Sequence, residues 1–397
     1  MQLSKKALAI SPSLTLKITA VAKEMKAKGL DVAGFGAGEP DFDTPQNIKD
    51  AAKKALDMGM TKYTPASGTN ELKQAVCDSL KRKQGLIYEP KQIVISNGAK
   101  HSLYNIFQAI LNPGDEVIIV APYWLTYPEL VKMADGVPVF VESYEENGFE
   151  PTEEAIRAAV SEKTKAIIVN NPSNPCGCVY SQKTLEMIAH IANDVGFYIV
   201  SDEIYDELIY DGHKHYSIAH VDENTYGRTI LVNGLSKTYS MTGWRIGYTA
   251  CRADIARVMG SFQSHATSNP STMAQYAGIE ALTGPQGELE KMRKEFDHRR
   301  KTIVKMINEI DGLSCVEPKG AFYVMMNISK LKGKQIGGRT IETSLDFAEE
   351  LLDKKLTAVV PGAAFGADDY ERLSYAISME TIEKGMHRIA EFVQMLK

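Results

Sequence analysis

Thr229-Ile230-Leu231-Val232-Asn233-Gly234-Leu235-Ser236-Lys237-Thr238-Tyr239-Ser240-Met241-Thr242-Gly243-Trp244-Arg245-Ile246-Gly247-Tyr248 is the stretch on which the fold turns. Its opening Thr229–Asn233 run is apolar and β-branched, of strand length, and Trp244–Tyr248 reads as a second strand. Between them a loop of small and aromatic residues carries one lysine, Lys237, with Arg245 eight positions on. Buried strands that run into loops bearing reactive side chains belong to open α/β sheets, where ligands sit outside the carboxyl ends of the strands.

Working outward, the same pattern recurs between about Gln92 and Cys251. Gln92-Ile93-Val94-Ile95, Glu116-Val117-Ile118-Ile119-Val120, Lys165-Ala166-Ile167-Ile168-Val169 and Phe197-Tyr198-Ile199-Val200 are short apolar runs separated by helix-like stretches. This alternation predicts an α/β protein with a mostly parallel sheet flanked by helices. Gly284-Pro285 punctuates the start of a long amphipathic helix expected over about 286–310. Beyond it, 320–324 and 372–376 read as strands and 381–396 as a closing helix, so a smaller α/β domain is expected. The predicted division is an amino-terminal arm and part of the small domain over 1–44, with a helix at about 15–28. The large domain follows over 45–283, then the connecting helix and small domain over 284–397.

The chain has 397 residues, a formal charge of −5 and a pI near 6.0, without a basic block. Nucleic acid and anionic membrane are therefore poor partners, and small molecules better ones. No segment approaches the roughly 20 apolar residues that span a bilayer. Nor does an apolar run follow Lys5-Lys6 to make a signal peptide. Five scattered cysteines, Cys77, Cys176, Cys178, Cys251 and Cys315, suit reduced thiols in a cytoplasmic protein. The Cys176-Gly177-Cys178 spacing lacks a second ligand pair, and no metal site is expected.

A lysine amine condenses with aldehydes, most readily when desolvated, and an arginine holds phosphate. A phosphorylated aldehyde cofactor, pyridoxal phosphate, accounts for Lys237 and Arg245 together. Ser96-Asn97-Gly98-Ala99-Lys100 follows a predicted strand and opens a helix over 101–111, either as an anion-binding turn or as an ordinary one. Asp202 ends a strand, where it either keeps a pyridine nitrogen protonated or caps a helix. Asn174 is aimed by the prolines of Asn171-Pro172-Ser173-Asn174-Pro175. Trp124, after Ala121-Pro122-Tyr123, lies either flat on an aromatic cofactor or in the core.

Taken together these motifs resemble the pyridoxal-phosphate-dependent aminotransferases of class I and II, of fold type I. The resemblance runs from Gly36-Ala37-Gly38-Glu39-Pro40-Asp41-Phe42 to the carboxyl end. It implies that Lys237 joins the cofactor's aldehyde and then carries a proton between the substrate's α-carbon and the cofactor's C4′. It implies Asp202 at the pyridine nitrogen, Tyr205 and Asn174 at the phenolic oxygen, and Trp124 stacked on the ring. Gly98, Ala99, Lys100 and Arg245 would bind the phosphate, and Tyr63 would reach the phosphate of a neighbouring subunit, which implies a homodimer with shared sites. Arg372 and Gly38 would take the substrate's α-carboxylate, with Trp124 and Asn174 also touching substrate. Gly234 stands where some relatives carry a phosphate-binding serine, and Cys176 where threonine is commonest.

Gln263-Ser264-His265-Ala266-Thr267-Ser268-Asn269-Pro270 is similar to the bacterial branch acting on aspartate, which implies exchange between L-aspartate and 2-oxoglutarate. Aromatic, alanine or broad donor specificity, and a pyridoxal-phosphate β-lyase, stay open. Ser11-Pro12 stands where prephenate-accepting relatives carry a basic residue. A DNA-binding sensor lacks its basic helix-turn-helix here, and a dinucleotide enzyme lacks its Gly-x-Gly-x-x-Gly turn.

Overall fold

The computed structural model describes residues 2–12 and 14–397. Seven strands make the large sheet, in the spatial order Ile93–Ser96, Gly247–Ala250, Thr229–Gly234, Tyr198–Asp202, Thr164–Asn170, Glu116–Ala121 and Val137–Glu142. Gly247–Ala250 is antiparallel to both neighbours; the other pairings are parallel. Successive side chains point to opposite faces, and both faces are covered. Ala166, Ile168, Val200 and Val232 pack against Leu103, Ile106 and Phe107 of the helix Ala99–Ile110. Ile167, Val169 and Ile199 pack against Leu185, Ile188 and Ala192 of the helix Gln182–Val195. Double burial is why the strands read as continuous apolar runs, and each enclosed Ile, Val or Leu contributes about 1.5–3 kcal/mol.

Glu116–Ala121 pairs with Val137–Glu142 on one side and Thr164–Asn170 on the other. Chain order reverses at this strand, which opens a crevice at its carboxyl end.

Two strands of the large sheet differ from the sequence reading, and in the small sheet the run expected at 320–324 becomes a strand only over Tyr323–Asn327. The run expected at 244–248 becomes a strand only at Gly247, because Thr242–Trp244 is a 3-10 turn and Arg245 sits at φ +57°. Gly247 cannot carry a side chain, since a Cβ there would lie 2.2 Å from the Ala99 nitrogen. Val137–Glu142 was not expected as a strand; it forms an edge, the position that tolerates Pro138, and exposes Val137 and Phe140.

The small sheet orders Val360–Pro361, Tyr370–Ser374 and Tyr323–Asn327, all antiparallel. The helices Gly287–Asn308, Ser344–Lys355 and Met379–Met395 pack on it through Phe296, Ile303, Phe347, Ile389 and Phe392. Following the helix Leu14–Ala27, the short strand Ala33–Gly34 pairs with Thr357–Ala358, and Phe35 enters the same core. No helix among the described residues is long and apolar enough to cross a membrane.

Candidate active site

The carboxyl ends of the large-sheet strands and the small sheet line a cavity of about 290 Å³. At its floor Asp202 is 3% exposed. Its Oδ2 accepts the Tyr127 hydroxyl at 2.8 Å and its Oδ1 accepts the Ile204 amide at 3.2 Å. Burial pushes its pKa up to about 6, against the pull of those two donors. The residues after it form a turn rather than a helix, so the capping alternative is set aside.

Lys237 enters from the loop after Thr229–Gly234, and its amine donates to the Gly38 carbonyl. Burial brings its pKa down to about 8; Glu39 opposes this, and the cations Arg245, Arg372 and Lys100 assist it. A lysine so placed is partly neutral, and therefore nucleophilic, near neutral pH.

One end of the cavity is an anion cradle. Gly98 begins the helix Ala99–Ile110 at φ +86°, and a Cβ on it would lie 2.2 Å from Nη2 of Arg245. Only glycine lets that guanidinium cross the turn. Arg245 is held by Nη1 to the Thr242 carbonyl at 2.8 Å and Nη2 to the Asn97 carbonyl at 3.3 Å. Among the described residues, the first two helix amides, Ala99 and Lys100, find no acceptor. Free amides at a helix start beside an arginine suit a phosphate. The Lys100 ammonium lies 4.9 Å from the centre of the Trp124 ring, and Trp124 meets Tyr127 edge-on at 5.3 Å. Trp124 does both things read from the sequence, packing on the core from one side and lining the cavity from the other.

At the other end Arg372 is 2% exposed on the small sheet. Its Nη1 donates to Asn174 Oδ1 and its Nη2 to the Gly36 carbonyl, each at 3.2 Å, and Nε has no partner. The guanidinium lies between the rings of Tyr323, at 4.5 Å, and Phe365, at 4.9 Å. Arg299 and Arg300, also buried, are paired with Asp41 and Asp297. Arg372, Arg245, Lys237 and Lys100 line one cavity, and among the described residues none of the four makes an ion pair. Arg372 is buried while Arg245 and Lys100 keep access to solvent; several cations converging on one cavity suit an anionic ligand, and the buried Arg372 gains most from such a partner.

The structure thus gathers Gly38, Ala99, Lys100, Trp124, Asn174, Asp202, Tyr205, Lys237, Arg245 and Arg372 around one space, with Gly98 under Arg245. Tyr63 is not among them and is 89% exposed. Three polar residues went unnoticed in the sequence. Tyr127 holds Asp202, Tyr323 shares a 3.1 Å hydroxyl contact with Tyr205, and Asn170 Oδ1 accepts the Asn174 amide at 2.7 Å. Asn170 ends a strand, a position that could have flagged it; the tyrosines look like core aromatics until packing shows their partners.

The family model for aminotransferase class I and II matches residues 31–389. The aspartate aminotransferase of Bacillus sp. strain YM-2 is 51% identical over 385 residues, covering 97% of each chain. The crystal structure of the aspartate aminotransferase from Rhizobium meliloti superimposes with a TM-score of 0.97 at 40% identity, over 100% of both chains. That of Thermus thermophilus, with maleate, gives 0.93 at 42% identity, over 98% of this chain and 99% of that one.

Proposed function

The chain belongs to the class I and II aminotransferases, and from that premise we propose that it moves an amino group reversibly from L-aspartate to 2-oxoglutarate, giving oxaloacetate and L-glutamate. The observation that carries this reading is the convergence of three cations, Arg245, Arg372 and Lys100, on the cavity that holds the Lys237 amine, none of the three in an ion pair among the described residues. Their charge suits a cofactor phosphate and a dicarboxylic substrate together.

The cofactor is pyridoxal phosphate, which supplies an aldehyde that takes up the amino group and a ring that stabilises charge on the substrate's α-carbon. Arg245 and the free amides of Ala99 and Lys100 would hold its phosphate over Gly98, and Trp124 would cover its ring. Asp202, kept anionic by the Tyr127 hydroxyl, would hold a proton on the ring nitrogen. Tyr205 and Asn174 would bind the phenolic oxygen. Arg372, supported by Asn174 and Gly36, grips the α-carboxylate with a planar fork that lysine cannot copy. Gly38 presents its backbone to the same group and steadies the Lys237 amine. Lys237 Nζ, held down to about 8, accepts the proton from the substrate's α-carbon. A relative solved with maleate, a dicarboxylate, supports a dicarboxylic substrate.

The chain works as a homodimer, a reading supported by the exposed Tyr63, which would complete a neighbouring site. Five free thiols, four of them buried, support a cytoplasmic setting. The working division is an arm to residue 44, a large domain over 45–283 and a small one over 284–397, with Lys237 and Arg372 on opposite sides of the substrate. A panel of amino donors with 2-oxoglutarate, ranked by kcat/KM, tests the proposal. L-Aspartate should rank first; aromatic donors or alanine ahead of it would overturn the specificity, and pyruvate release without transfer would point to a lyase.

A further inference from the structure

Asp202 is followed directly by a second buried carboxylate, Glu203, whose side chain is 0% exposed. Strand alternation sends the two to opposite faces: Asp202 to the cavity, Glu203 with Ser201 into the far layer. There Glu203 Oε1 accepts Ser201 Oγ at 2.8 Å and Ser217 Oγ at 2.6 Å, and Oε2 meets His215 Nε2 at 2.7 Å. His215 Nδ1 has no partner. Burial works against charge on both groups, but the three donors pull the Glu203 carboxyl below its usual range and the carboxylate pushes the His215 ring above its own. The other charged groups near the pair are Asp206 and Glu207 of the same loop, with Lys83 of the helix Asn70–Gln84 bound to Glu207 at 2.5 Å. The hydroxyls of Tyr88 and Tyr248 also feel Glu203.

Two adjacent carboxylates in a low-dielectric core raise each other's proton affinity. We propose that His215 is a positioning residue for the cofactor site: its imidazolium cancels the charge of Glu203, and so lets Asp202 stay ionised beneath the cavity. The inference rests on the assignment of Asp202 to the cofactor's ring nitrogen.

The test is pyridoxal phosphate affinity of the apoprotein, by equilibrium dialysis at about pH 7, for the wild type and the variants Asp202→Asn, His215→Gln, Glu203→Gln and the Glu203→Gln/His215→Gln pair. Glutamine at 215 keeps a donor for Glu203 without the charge. His215→Gln should weaken binding roughly tenfold, the factor attached to one pKa unit, whereas Glu203→Gln and the double variant should stay within about threefold of wild type. A double variant as weak as His215→Gln, or a His215→Gln protein that binds like wild type, overturns the proposal. Should His215→Gln fail to fold, nitrogen NMR of the wild-type histidines decides, since a neutral His215 ring at about pH 7 also overturns it. Failure of the underlying assignment looks different: Asp202→Asn would then bind as tightly as wild type.

Discussion

Replacing Arg372 with lysine keeps a positive charge in the small sheet and removes the fork. In the structure the guanidinium is 2% exposed and uses two nitrogens on Asn174 Oδ1 and the Gly36 carbonyl, each at 3.2 Å. It is also stacked between Tyr323 and Phe365. A lysine ammonium gives up at least one charged hydrogen bond to the α-carboxylate, worth about 1.5–3 kcal/mol. Weaker contact with the two rings adds about 0.5–1 kcal/mol. The combined loss of about 2–4 kcal/mol corresponds to roughly 30- to 900-fold in kcat/KM. Steady-state transamination with L-aspartate and with L-glutamate measures it, and both donors should suffer alike because both present the same carboxylate. The visible spectrum of the bound cofactor should be retained, showing that the rest of the site survives. A variant with that spectrum intact and a kcat/KM within about threefold of wild type would refute the role drawn for Arg372.

Lys237→Ala should abolish both turnover and the visible absorption band of the imine between lysine and pyridoxal phosphate; an active variant that keeps that band would remove Lys237 from the centre of the chemistry. Tyr127→Phe deprives Asp202 of its 2.8 Å donor, so cofactor affinity should drop by about 1–3 kcal/mol, and unchanged dialysis curves would argue against that support. Lys237 is held down to about 8 from 10.5: the unfolded chain binds this proton more readily than the fold, so apoprotein stability should fall as pH drops from about 10 through 8. Urea midpoints measure that slope, and Lys237→Met should flatten it. Mixed dimers of Lys237→Ala and Tyr63→Phe subunits should regain activity, since one of their two sites keeps both residues; the absence of any recovery would speak against shared sites.

The sequence revealed much of this arrangement because the large-sheet strands are covered on both faces. Their Val and Ile runs could hardly be read otherwise, and the loops after them had to hold the polar residues. Lys237, Asp202, Asn174 and Arg245 were legible for that reason. What stayed hidden depends on packing across the chain. Tyr127 looks like any core tyrosine until Asp202 is seen 75 positions away, and Tyr323 becomes polar in role only where Tyr205 meets it, 118 positions away. Arg245 was misread in conformation though not in place, because its left-handed turn is stabilised by carbonyls and by the space above Gly98, neither of which a strand pattern records. His215 and Glu203 carried no signal, since they face away from the cavity.

The interlock of Gly98 with Arg245, and of Gly247 with Ala99, joins segments about 150 residues apart along the chain. That clasp cannot exist until Gly247–Ala250 has slotted between Ile93–Ser96 and Thr229–Gly234. Contacts so distant in sequence form late, after much loop entropy has been surrendered. A refolding chain should accordingly recover its helical signal first and its yellow colour afterwards, making vitamin uptake a built-in stamp of finished assembly.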